Sequence, residues 1–200
     1  MLDTVAEKQP DRRPAIVICA WDADDLAWDP VEDLSGQPWN PTGARTVAIP
    51  PEDPEQLVAT LSHSLRDPSC RAVLLVGRTH KAGGFRVQMR AENRALNGDG
   101  GKLTHTGPAI ARATAPVADI VRALNAAGLN ADASSDGEHD VGSFLLYSIL
   151  TALPDNADVP AIGLLRAPAD LSADAVQKGV KAAAGAMARS LSPLPRARPN

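Results

Sequence analysis

The stretch "PVADIVRALNAAGLNADASSDGEHDVGSFLLYSIL" (116–150) decides the fold. Its first part, 116–129, has apolar residues at helical spacing and ends at Gly128, where a glycine commonly closes a helix in the left-handed conformation. "NADASSD" (130–136) follows as a short strand and turn. A polar loop then leads into "SFLLYSILTAL" (143–153), an apolar run that reads as a buried helix. Helix, strand and helix joined by short connections are the unit of a sheet covered by helices on both faces.

The same alternation continues outward. Downstream, "VPAIGLLRAP" (159–168) reads as a strand and "SADAVQKGVKAAAGAMARSL" (172–191) as a long helix with Ser172 as its cap. Upstream, "AIVICAW" (15–21), "RTVAIP" (45–50) and "RAVLLVG" (71–77) are short apolar runs suited to buried parallel strands. "DPEQLVATLSHSLRD" (53–67) has a proline near its start and apolar spacings of three and four, an amphipathic helix. Residues 78–107 read as loops with short strands or a hairpin. Residues 22–43 form a long acidic, proline-punctuated loop holding two of the three tryptophans. The predicted architecture is a single three-layer α/β/α domain with a mostly parallel twisted sheet over 14–191. A flexible N-terminus (1–13) and a flexible tail (192–200) are expected to flank it.

Composition narrows the function classes. Of 200 residues, 44% are hydrophobic and 22% charged, and the net charge is −4. A mildly acidic chain with no basic cluster beyond the tail "RARPN" (196–200) is a poor nucleic-acid binder, since such binding rests on neutralising phosphates. No apolar run reaches the roughly 18 residues of a membrane span, and the N-terminus lacks an apolar signal region, so a cytoplasmic protein is expected. Cys19 and Cys70 lie alone in or beside apolar runs and suit buried thiols rather than a disulfide or metal framework. "GRTHKAGGFR" (77–86) matches neither a dinucleotide nor a phosphate-loop motif. No cofactor and no metal are expected.

Several features fall in an informative order. They are "NPT" (40–42), "GGFRVQMRAENRALN" (83–97), the 107–136 segment ending in "NADASSD", the loop running into "LLYSIL", and "IGLLRAP" (162–168). The series resembles the pyroglutamyl peptidase I (pyrrolidone-carboxylate peptidase) family of cysteine peptidases, from roughly residue 14 to 191. The resemblance implies a compact α/β/α fold, and members often associate as dimers or tetramers, so a homo-oligomer is expected. In that family a Cys–His–Glu set removes an N-terminal pyroglutamate. The cysteine stands where a polar loop enters a helix (V-C-N-x-x-x-Y), where the helix start lowers its pKa. The histidine ends a strand (G-F-I-H-x-P), and the glutamate lies in E-R-x-A-x-N.

Carried over by motif, the set is incomplete. Glu92 falls on the glutamate, with Ala95 and Asn97 behind it. Gly142, between Val141 and Tyr147, falls on the cysteine. Arg166, between Gly163 and Pro168, falls on the histidine. The family's pyroglutamate-clasping G-F-x-x-F-G is replaced by "AWDADDLAW" (20–28), where Trp21 takes one aromatic place; Arg86 matches a family arginine. Glycine cannot attack a carbonyl, and arginine stays protonated and cannot act as a base.

Other residues could serve. Ser143 reads as the helix cap, with a Ser143–His139 nucleophilic pair as the alternative. Asp136, Glu138, His139 and Asp140 read as a solvated loop, with a metal site as the alternative. Glu92 and Arg166 are expected to pair where glutamate once held histidine, either plugging the pocket or, with Arg86, facing a small ligand that carries an anionic or carbonyl group. Trp21, Arg86, His139 and Ser143 are the candidate ligand contacts. Two functions follow: a pseudoenzyme that binds a ligand or partner, or an enzyme acting on a small lactam, amide or carbonyl compound through Glu92 and Arg166.

Overall fold

Eight strands and four helices alternate along the computed structural model, which describes residues 11–22, 37–96, 100–153 and 158–191. The strands are β1 (Ala15–Ala20), β2 (Arg45–Ile49), β3 (Cys70–Thr79), β4 (Phe85–Gln88), β5 (Arg90–Glu92), β6 (Ile110–Arg112), β7 (Ala131–Ser134) and β8 (Ala161–Pro168). The helices are α1 (Pro54–Ser64), α2 (Val117–Ala126), α3 (Val141–Thr151) and α4 (Ala173–Ser190). The main sheet has six strands in the order β2-β1-β3-β8-β4-β7, and β5 and β6 form a separate antiparallel pair. All main-sheet pairings are parallel except β4 against β8. This is the mostly parallel three-layer sheet expected from the alternation of elements.

Period-two alternation divides the core. Ile16, Leu74, Val76, Leu165 and Ala167 face one side, where α2 and α4 pack with Ile120, Leu124, Val180 and Met187. Val17, Cys19, Val73, Leu75, Ile162 and Leu164 face the other, under α1 and α3 with Leu57, Leu61, Leu145, Leu146 and Tyr147. Each fully buried Leu or Ile contributes roughly 1.5–3 kcal/mol, so a core nearly without aromatics still holds two layers together. Phe85 reaches the first layer against Gly179 of α4, where an added Cβ would stand 2.6 Å from its ring.

Local signals at most helix ends behave as read. Asp53 caps α1 with Pro54 at its first position, and Ser172 caps α4 by accepting from the Ala175 N–H. Gly128 follows α2 with φ +77°. The Gly128 N–H donates to Asn125 and the Leu129 N–H to Leu124, the paired bonds of a glycine-closed helix end. The hairpin sought in 78–107 is displaced: its second arm, β6, lies at 110–112. Most of the 22–43 loop, residues 1–10, the tail 192–200 and Asn97 lie outside the described residues. No helix among the described residues is long and apolar enough to cross a membrane.

Candidate functional site

The start of α3 meets the end of β8 through Asp140. Asp140 is extended (φ −145°, ψ 179°), and its carboxylate accepts from the Ser143 N–H at 3.0 Å, so Asp140 is the N-cap. The helix therefore begins at Val141, two residues before the expected start, and Ser143 is not the cap. Asp and Ser cap about equally well, so local sequence does not separate them. The tertiary partner of Asp140 does.

That partner is Arg166, near the end of β8 and 1% exposed. Its guanidinium forks onto the Asp140 carboxylate, with Nη1 to Oδ2 at 2.6 Å and Nη2 to Oδ1 at 2.8 Å. Arg166 Nε donates to Gln88 Oε1 at 2.9 Å, and Nη2 also donates to Ser143 Oγ at 3.1 Å. Glu138 Oε1 lies 3.7 Å from Arg166 Nε and accepts from the Thr79 hydroxyl. The expected Glu92–Arg166 pair is therefore not formed. Capping α3 places the Asp140 carboxylate over the end of β8, whereas Glu92 belongs to the short β5–β6 pair outside the main sheet.

Gln88 is the site residue that sequence reasoning missed. It is wholly buried on β4, and its amide Nε2 donates to the Arg90 carbonyl at 2.8 Å and to Ser143 Oγ at 3.0 Å. Local sequence carries no signal for it, because Gln88 shares the strand phase of Arg86, opposite Phe85 and Val87; a buried amide there must find partners, and it finds them on Arg90, Ser143 and Arg166. Ser143 Oγ thus accepts from both Gln88 and Arg166, and the ring of His139 contacts Arg94 instead. The Ser143–His139 pair is absent.

Trp21, at the end of β1, lies across the helix start. A Cβ added at Gly142 would stand 2.5 Å from the indole, and one added at Gly77 would also collide with it. The Arg166 guanidinium lies 5.8 Å from the ring centroid, within cation–π range. Two glycines therefore make the slot that the indole fills, and the arginine covers it. Neither thiol offers a substitute nucleophile: burial pushes Cys19 up to about 12 and Cys70 up to about 11, so both stay protonated at neutral pH.

Beside this network is a cavity of about 260 Å³. Glu92, Arg94, Glu138, His139, Asp140 and Ser143 line it, with Leu96 and Phe144 as an apolar wall. His139 Nε2 lies 2.9 Å from Arg94 Nη1; a guanidinium only donates, so this ring nitrogen accepts. Of the sequence-derived candidates, Glu92, His139 and Ser143 reach the cavity, while Trp21, Gly142 and Arg166 form the filled slot. Arg86 belongs to neither: it stands opposite Arg166 across the β4–β8 ladder, and its Nη2 donates to the Ala82 carbonyl. Among the described residues no group of three His, Cys, Asp or Glu is placed to hold a metal, so the 136–140 loop does not gather into a ligand set.

No protein-family model matches the sequence, and no curated protein matches it significantly. Solved structures do match. Pyroglutamyl peptidase I from Bacillus amyloliquefaciens superposes with a TM-score of 0.71 at 16% identity, covering 89% of this chain and 96% of that one. Pyrrolidone carboxyl peptidase from Thermus thermophilus gives 0.67 at 19% identity, covering 86% and 98%. A mutant pyrrolidone carboxyl peptidase from Pyrococcus furiosus gives 0.72 at 13% identity, covering 89% and 100%. The chain has the pyroglutamyl peptidase fold over nearly its whole length, with a tryptophan-filled slot and a buried Asp–Arg–Gln–Ser network at the head of α3.

Proposed function

We propose that this protein is a pseudoenzyme on the pyroglutamyl peptidase fold, one that binds a small ligand beside α3 and does not hydrolyse pyroglutamyl peptides. The observation that carries the reading is the indole of Trp21 packed where any side chain at position 142 would have to stand. A nucleophile needs a thiol or hydroxyl, a base within hydrogen-bond reach and an open approach for the carbonyl. Here position 142 has no side chain, position 166 holds a cation whose N–H groups already serve Asp140, Gln88 and Ser143, and the approach is occupied. The same facts weigh against an enzyme built on Glu92 and Arg166, because Arg166 is closed off from solvent. Glu92 alone keeps an open position, on the adjoining cavity.

The test is a fluorogenic pyroglutamyl amide incubated with the purified chain. No release above background is expected. Release abolished by thiol alkylation would overturn the proposal, since it would require a working cysteine.

A further inference from the structure

The geometry points to a zwitterionic ligand in the cavity beside α3: a free α-amino acid with an apolar side chain, its ammonium on Glu92 and its carboxylate on Arg94. The inference rests on the reading of the chain as a binding protein and names what that site holds.

Glu92 and Arg94 both line the cavity. Glu92 ends β5, and Arg94 stands two positions on, just past a bend at Asn93. The buried Asn93 anchors this bend: its amide donates to the Thr104 carbonyl at 2.7 Å, and its Oδ1 accepts from the Thr104 N–H at 2.9 Å. An anchored bend thus brings a carboxylate and a guanidinium to one cavity.

Their partners differ from those of the other charges nearby. Asp140 is taken by Arg166 and the Ser143 N–H, and Glu138 by the Thr79 hydroxyl. The Glu92 carboxylate, half-buried, has no hydrogen bond or ion pair with a described residue. A carboxylate in a cavity without a partner attracts a cation. Among the described residues Arg94 has only the ring nitrogen of His139, a weaker partner than a carboxylate, which a guanidinium can bind bidentately.

At about 260 Å³ the cavity falls below the roughly 300–1,000 Å³ typical of drug-sized ligands, a volume that suits one amino acid. Leu96 and Phe144 supply an apolar wall for an aliphatic side chain.

Isothermal titration calorimetry on the full chain tests this with L-leucine, isopentylamine (no carboxylate) and 4-methylpentanoate (no ammonium). Leucine is expected to bind about tenfold or more tightly than either truncated compound, because each removes one charge-assisted contact. Glu92→Gln and Arg94→Met are each expected to weaken leucine by a similar factor without changing the melting temperature. The inference is overturned if leucine does not bind, or if isopentylamine or 4-methylpentanoate matches it. Should a variant fail to fold, the three compounds on the unaltered chain still decide. In the pyroglutamyl amide assay, thiol-dependent release would remove the underlying reading. Silence in that assay with no leucine binding would remove this inference alone.

Discussion

At the scale of single residues, Trp21 and Gly142 are one feature. The indole occupies the volume that a Cβ at position 142 would take, and an overpacked core contact costs about 1–3 kcal/mol. Gly142→Ala should destabilise the chain by about that amount. Trp21→Ala should destabilise it on its own through lost packing and the lost contact with Arg166. In Trp21→Ala/Gly142→Ala the methyl no longer meets a ring, so the double variant should be more stable than the sum of the single effects by about 0.5 kcal/mol or more. Additive melting data would refute the steric account. Arg166 has a separate test. Arg166→Met should cost about 3 kcal/mol, the lower end for breaking a buried pair, because Asp140 keeps 32% of its side chain exposed. For a chain of this size that lowers the melting temperature by roughly 6–12 °C. An unchanged melting temperature would mean that the fork to Asp140 contributes nothing to stability.

At the scale of elements, Asp140 both caps α3 and ties it to β8, and substitution can separate the two roles. Asn is as good a cap as Asp, so Asp140→Asn should keep the helix start and lose only the charge pairing. Asp140→Ala should lose both and be about 1 kcal/mol less stable than Asp140→Asn, the usual contribution of a cap. Equal melting temperatures for the two variants would show that the cap adds nothing. The head of α3 also marks where local sequence stopped being informative. Apolar runs such as "AIVICA" and "AVLLV" announced their strands because both faces of a parallel strand are buried, and Gly128 announced the end of α2 because its φ of +77° favours glycine. The start of α3 was misread because Asp140 and Ser143 are equivalent caps locally; Arg166, 26 positions away, chooses between them. Gln88 escaped for a related reason. β4 runs antiparallel to β8, a pairing that no local pattern reports, and only that pairing brings the amide to Arg166. Glu92 was a candidate from its segment and lines the cavity, yet the partner expected for it, Arg166, pairs with Asp140, since partners follow from sheet order.

At the scale of the whole molecule, both thiols sit in the layer under α1 and α3, one on β1 and one on β3, strands that pair side by side. Burial is the main cause that raises both, from the usual 9.0 to about 12 for Cys19 and about 11 for Cys70, with Glu52 adding to the rise at Cys19. The sign follows from linkage: each thiol stays protonated in the fold to a higher pH than in the unfolded chain. Their contribution is complete below about pH 9 and is lost as pH rises towards 11 and 12, because the unfolded chain gains by releasing those protons first. Denaturant midpoints should therefore fall above pH 9 with a slope that Cys70→Ala reduces, and thiol reagents at neutral pH should label the folded chain only after unfolding. Cys70 is the better choice for substitution, since Cys19 is wholly buried between β2 and β3 and its removal would confound the pH effect with a larger cavity. If the alkaline slope is the same with and without Cys70, the thiol is not the group that titrates, and the two-layer core does not hold it protonated.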